Sequence, residues 1–188
     1  MAAPGGRFRL RRAVRVMRAG GVVAYPTEAV YGLGCDPLNH DAVMRLLTIK
    51  RRPPEKGLIL IASRFDQLTP FLRATGEEVR QRVDATWPGP VTWLLPASPA
   101  TPNWLRGMHD SLAVRVTAHP LAAALCEAFG GPIVSTSANA SGRPPARTAL
   151  QAVLRCPGVD LVLVGATGGL RRPTPIRDAL SGKLLRVG

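Results

Sequence analysis

Apolar residues recur at helical spacing in Phe8, Leu10, Val14 and Met17, and the pattern stops at Gly20-Gly21, which predicts an opening helix ended by glycine. Val22 to Tyr25 is instead a continuous apolar run closed by Pro26, the mark of a buried strand that feeds a loop. A second helix is predicted with Asp41 as N-cap and Val43, Leu46 and Leu47 on one face, while Pro53-Pro54 forbids its continuation. Leu58 to Ala62 is the next buried-strand candidate. Helical stretches are then expected around Phe65 to Arg73 and Glu77 to Trp87, before Pro88-Gly89-Pro90 punctuates the chain. Strands are predicted over Val91 to Leu95 and Leu112 to Val116. Leu121, Ala122, Leu125, Cys126 and Phe129 describe a helix face ended by Gly130-Gly131, and Ile133-Val134 resumes a strand. Leu150 to Leu154 reads as helix, and Val159 to Val164 and Leu184 to Val187 as strands. Helices and strands alternate, which predicts an α/β sheet. Consecutive strands in the middle imply antiparallel pairs as well, hence a mixed sheet.

Length and charge sharpen this picture. A chain of 188 residues with 46% hydrophobic positions suits one domain with a proper core, and neither an internal repeat nor a linker divides it. The 25 Lys and Arg against 12 Asp and Glu give +13, a balance that favours phosphate-rich partners and leaves nucleotide, RNA and acidic membrane surfaces all open. Cys35, Cys126 and Cys156 are odd in number and widely spaced, so neither a disulfide framework nor a zinc site is expected, and a reducing, cytoplasmic setting fits. No apolar run approaches the roughly 18 residues of a membrane span. The Arg-rich start from Arg7 to Arg18 could resemble a transit peptide, but its apolar spacing reads better as the first helix.

Four polar constellations stand where strands end, the place where open α/β sheets bind ligands. Pro26 to Gly34 (PTEAVYGLG) reads as a rigid turn with exposed hydroxyls and glycines that let backbone approach a ligand. Lys50-Arg51-Arg52-Pro53-Pro54-Glu55-Lys56 gathers four cations at a helix end, suited to a polyphosphate but also favourable to the helix dipole. Ser135-Thr136-Ser137-Ala138-Asn139 follows a strand, and an extended backbone would aim Ser135, Ser137 and Asn139 to one side. Finally, Arg115 interrupts the apolar strand Ser111 to Val116. A buried guanidinium needs an anion, either an internal carboxylate or one brought by a substrate, and the strand pattern leaves both open.

Several chemistries are excluded by absence. There is no P-loop motif, no strand-associated G-x-G-x-x-G, no H-E-x-x-H and no G-x-S-x-G. His40, His109 and His119 lack metal-ligand spacing and read as surface or capping residues.

In this order the four segments, with Gly20 to Glu28 (GGVVAYPTE), Trp87 to Thr92 (WPGPVT) and Ser135 to Asn139 (STSAN), resemble the YrdC/TsaC family of threonylcarbamoyl-AMP synthases, from about Phe8 to Gly188. The resemblance implies a twisted mixed sheet flanked by helices around a large basic cavity, in the short form with a single domain over residues 7–188. It assigns ATP to Lys50, Arg52, Lys56, Ser111, Ser137, Asn139 and Arg186, with Lys50 and Arg52 also acting in catalysis. Threonine is expected at Thr27, Tyr31, Arg115, Ser135 and Thr174. The implied reaction joins ATP, bicarbonate and L-threonine into threonylcarbamoyl-AMP and pyrophosphate for N6-threonylcarbamoyladenosine in tRNA. Magnesium would accompany ATP, no protein metal site is indicated, and the product would pass to other proteins of that modification pathway. Two departures stand out: Ala29 replaces a second threonine found in many relatives, and Ile61 occupies a position polar in some members. Two other readings compete. One is an RNA-binding module without catalysis, which the nine aromatic residues argue against as a stacking platform. The other is a carbamoyl-transfer domain with a different acceptor.

Overall fold

The computed structural model describes residues 4–187; Gly188, the last residue of the expected domain, lies outside them. In chain order the helices are α1 (Pro4–Arg18), α2 (His40–Lys50), α3 (Glu77–Asp84), α4 (Asn103–Arg106), α5 (Pro120–Phe129) and α6 (Ala149–Arg155). The strands are β1 (Val23–Pro26), β2 (Tyr31–Gly34), β3 (Ile59–Ala62), β4 (Thr92–Pro96), β5 (Ser111–Val116), β6 (Ile133–Ser137), β7 (Leu161–Val162), β8 (Ile176–Asp178) and β9 (Leu184–Arg186).

Among the described residues these strands form one sheet in the order β7-β1-β2-β6-β3-β5-β4-β8-β9. The sheet is mixed: β1 with β7, β3 with β5 and β4 with β8 run parallel, and the other neighbours are antiparallel. Core packing on both faces explains why the strand segments read as continuous apolar runs. In β3, for example, Leu60 joins a core with Leu33, Leu46, Trp93 and Leu112, while Ile61 joins a second core with Met17, Tyr25, Leu125 and Ile133. Helices α1 and α5 pack together over the second core, and the Val43, Leu46 and Leu47 face of α2 closes the first.

Several sequence expectations are corrected. The N-cap of α2 is Asn39, whose Oδ1 accepts from Ala42 N at 3.0 Å, and Asp41 sits exposed in the first turn. The stretch from Phe65 to Arg73 makes two short 3-10 turns, Phe65–Gln67 and Thr69–Phe71, because Pro70 has no amide to continue an α-helical ladder. The segment from Pro26 to Gly34 is not a loop throughout. Thr27 N and Thr27 Oγ1 both donate to Val30 O, closing a tight turn from which β2 returns antiparallel to β1. The glycines of β2 belong to packing: a Cβ on Gly34 would lie 2.6 Å from Val134 O and 2.8 Å from the Tyr25 ring. The elements β7, β8 and α4 are short, and only β7 fell inside a predicted element.

Candidate functional site

Strand periodicity builds one wall of a cavity of about 630 Å³. On β5, Ser111, Ala113 and Arg115 face the cavity while Leu112 and Val114 enter the core, as the two-residue period requires. From β6 come Ser135, Thr136 and Ser137, and from the turn beyond it Asn139, so the expected residues reach the lining although strict alternation and an extended backbone do not hold as far as Asn139. The end of α2 supplies Lys50 and Arg52, and the β8–β9 hairpin with its approach supplies Thr174 and Arg186. Lys56 arrives on a turn clamped to α4. Leu58 N donates to Leu105 O at 2.7 Å and Met108 N to Glu55 O at 3.2 Å. Gly107, at φ +65°, packs so closely that a Cβ would meet Glu55 O at 2.2 Å, so only glycine suits this junction.

The sequence-predicted residues Thr27, Lys50, Arg52, Lys56, Ser111, Arg115, Ser135, Ser137, Asn139, Thr174 and Arg186 therefore line one cavity. Tyr31 does not. Its ring is buried in the core beneath β2, and its hydroxyl donates to Gly165 O at 2.5 Å and accepts from Gly165 N at 3.1 Å. The hydroxyls of the first loop are also not exposed, since Thr27 is buried. Of the two departures, Ala29 lines the cavity, whereas Ile61 is fully enclosed in the second core and cannot touch a ligand there.

The partner that Arg115 requires is internal. Glu28, at the β1–β2 turn, places Oε2 3.4 Å from Arg115 Nη2, and both side chains are buried. Glu28 Oε1 accepts from Thr117 Oγ1 at 2.6 Å and Ala118 N at 3.2 Å. Burial works against the carboxylate's charge, but Arg115 and these hydrogen bonds outweigh it and hold the Glu28 pKa below its ordinary value. Arg115 Nη1 donates to Thr174 Oγ1 at 2.9 Å and Thr92 Oγ1 at 3.3 Å. Sequence reasoning named the need for a carboxylate without naming Glu28, although the buried charge on β5 was the signal for it.

The cations on the other side are differently placed. Lys50 is buried, and its ammonium donates to Ser137 O, to Asn139 O at 2.9 Å and to Asn139 Oδ1 at 3.3 Å, so it fixes the end of β6. Burial pushes its pKa down to about 8; Cys156 opposes that shift and Arg52 adds to it. Arg52 spends Nε and Nη2 on Gly57 O and Lys56 O, and among the described residues Nη1 has no hydrogen bond. Arg186 Nη2 donates to Thr174 O at 2.6 Å. Burial lowers the pKa of both arginines, and for Arg186 the nearby Arg115 and Arg52 add to the effect. Among the described residues none of Lys50, Arg52, Lys56 and Arg186 forms an ion pair.

Arg106, the last residue of α4, and His109 just beyond it also reach the lining, and sequence patterning did not resolve that helix. His119 is a cap, as expected: its Nδ1 accepts from Ala122 N at 3.4 Å, with Nε2 3.0 Å from Ala166 O. No Asp or Glu joins the cavity lining, and among the described residues no cluster of three or more His, Cys, Asp or Glu could hold a metal ion. Nor, among those residues, is any helix long and apolar enough to cross a membrane.

Residues 15–188 match the Sua5/YciO/YrdC family, described as telomere recombination. The chain belongs to this family. A threonylcarbamoyl-AMP synthase of Halorhodospira halophila is 58% identical over 186 residues, covering 97% of each chain. Another from Alkalilimnicola ehrlichii is 59% identical over 185 residues and covers 96% of each. Among solved structures, P. abyssi Sua5 complexed with L-threonine superposes with a TM-score of 0.85 at 34% identity. That match covers 91% of this chain and 51% of Sua5, so the chain spans about half of that protein. The twisted mixed sheet with flanking helices is thus the fold of the Sua5/YciO/YrdC family.

Proposed function

We propose that this chain is a nucleotidyltransferase that makes L-threonylcarbamoyladenylate from ATP, bicarbonate and L-threonine and releases pyrophosphate. Relatives named threonylcarbamoyl-AMP synthase that align over nearly the whole chain support this reading, and so does the L-threonine complex of Sua5. They favour it over an RNA-binding module without catalysis. The observation that carries it is the cavity itself, which sets cations with no ion-pair partner beside a guanidinium whose charge is already balanced by Glu28.

In this reading Arg52, Lys56 and Arg186 meet the phosphates, and Ser111, Ser137 and Asn139 offer hydroxyls and an amide to the nucleotide. Lys50 holds the Ser137 to Asn139 turn in place and lends its charge to the same region. The Nη2 corner of Arg115 has no hydrogen bond and receives the threonine carboxylate, with Thr27, Ser135 and Thr174 around it. The threonine amine adds to the carbon of bicarbonate with loss of water, giving an N-carboxylate. An oxygen of that carboxylate attacks the α-phosphorus; the bond to the β-phosphate bridging oxygen breaks, and its electron pair leaves with pyrophosphate. Such chemistry is served mainly by positioning and by neutralising charge, and no side chain is needed as general base. The lining has no carboxylates to hold a divalent ion, so magnesium enters this proposal only as a companion of the ATP phosphates and no step is assigned to it.

The proposal includes a cytoplasmic setting, in keeping with three buried, unpaired cysteines, and transfer of the product to other proteins that complete N6-threonylcarbamoyladenosine in tRNA. The test is to mix the pure protein with ATP, bicarbonate and L-threonine and to look for the adenylate by mass spectrometry. Product that requires all three substrates is the expected result. Pyrophosphate release that persists without threonine or bicarbonate would contradict the proposal.

A further inference from the structure

Two guanidiniums converge on Thr174. Arg115 Nη1 donates to its hydroxyl and Arg186 Nη2 to its carbonyl, so both cations stand at one corner of the cavity. Only one of them has a carboxylate. Glu28 faces Arg115 at 3.4 Å from behind the cavity wall, without itself joining the lining, whereas Arg186, Arg52, Lys50 and Lys56 have no ion pair among the described residues. The distinction is chemically consequential. A polyphosphate carries several negative charges and is drawn to any uncompensated guanidinium, which also fits it in a bidentate manner. An amino acid is a zwitterion with no net charge, so neutralising the guanidinium costs its binding less than it costs that of a polyphosphate, and Nη2, which faces Glu28 Oε2 without a hydrogen bond, can still donate to its carboxylate.

We infer that Glu28 is a specificity-determining residue that sorts the two ligands: by neutralising Arg115 it denies that guanidinium to phosphate and reserves it for the carboxylate of a zwitterionic amino acid. This rests on the proposed function for the identity of the amino acid. Glu28 is built to stay charged and in place. Its Oε1 is held by the Thr117 hydroxyl and the Ala118 amide, and its backbone carbonyl accepts from Leu170 N at 3.0 Å. Against it lies Gly168, where a Cβ would meet the Glu28 carbonyl oxygen at 2.9 Å, so the segment before Thr174 and the Glu28 turn are locked together. Among the described residues no second carboxylate pairs with Arg115: its other partners are the hydroxyls of Thr92 and Thr174.

Glu28→Gln is the informative variant, because the amide oxygen can still accept from Thr117 and Ala118 while the negative charge disappears. The probe is inorganic tripolyphosphate, followed by calorimetric titration with and without L-threonine. The wild-type chain is expected to bind one tripolyphosphate, competitively with ATP, with threonine affinity changed less than about twofold. Glu28→Gln is expected to bind a second, and saturating tripolyphosphate should then weaken threonine binding at least about 10-fold. Glu28→Asp, which keeps the charge on a shorter side chain, should restore the single tripolyphosphate site that Glu28→Gln loses. A wild-type chain that already binds a second tripolyphosphate at the expense of threonine overturns the inference, and this arm needs no variant to fold. A folded Glu28→Gln chain with one site and unaltered threonine affinity also overturns it. If instead the wild type binds no threonine at all, the proposed function fails, while the count of tripolyphosphate sites in wild type and variant still decides whether Glu28 sorts phosphate.

Discussion

The two ends of the cavity solve the problem of buried positive charge in opposite ways. Around Arg115 the charge is balanced within the protein by Glu28 at 3.4 Å, and two threonine hydroxyls accept from Nη1, while Nε and Glu28 Oε2 are buried without a hydrogen bond. Around Lys50, Arg52 and Arg186 the cations lean on carbonyl oxygens, and burial depresses their pKa values, with Cys156 only partly opposing the shift of Lys50. A guanidinium paired with a carboxylate attracts a further anion less strongly than one supported only by neutral dipoles, although its remaining N–H groups can still donate to a carboxylate. The first end is shaped to discriminate and the second to attract.

The largest expected effect comes from removing attraction. Arg52→Ala takes away the guanidinium whose Nη1 is free, and by analogy with loss of a preorganised donor it should slow turnover about 100-fold or more, measured as pyrophosphate release. Next in size is damage to the balanced end. Thr174→Val removes the 2.9 Å contact to Arg115, and losing a hydrogen bond to a charged group costs about 2 kcal/mol, so the KM for threonine should rise about 30-fold while that for ATP stays put. If both constants move together, the two ends are not separable.

A smaller effect tests Lys50 through pH. Its folded-state pKa, about 8, lies below the ordinary 10.5, so the charge is present below pH 8 and lost above it. ATP affinity should therefore fall roughly 10-fold between pH 7 and 9, and Lys50→Met should abolish that slope. Stability has the opposite sign. Between pH 8 and 10.5 the unfolded chain binds the extra proton, so thermal stability gains a contribution as pH rises through that window, which the same variant removes. The smallest expected change is a gain: Ala29→Thr adds a hydroxyl to the lining beside Thr27 and should lower the threonine KM about threefold.

Much of this was legible in the letters. Ser135, Ser137 and Asn139 do line one cavity, although Thr136 lines it too and Asn139 sits in a turn, and the lone charge in β5 signalled an anionic partner while leaving open whether it was internal. What could not be read was set by distance along the chain. Glu28 meets Arg115 only because β1 and β5 lie in one sheet separated by β2, β6 and β3, an order no local pattern encodes. Tyr31 was misplaced for a related reason. Its segment, rich in glycine, reads as a loop, but pairing with β1 and β6 makes it a central strand and turns the ring into the core. The bonds of Lys50 to the Ser137 and Asn139 carbonyls were not legible either, because those partners are backbone groups, which the sequence does not distinguish from any others.

The most direct measurement is a crystal structure of the chain with L-threonine and a non-hydrolysable ATP analogue. The phosphates are predicted against Arg52, Lys56 and Arg186, with the threonine carboxylate on Arg115 Nη2 and Glu28 still beside that guanidinium. Phosphate oxygens on Arg115, or threonine bound outside the shared cavity, would contradict the account.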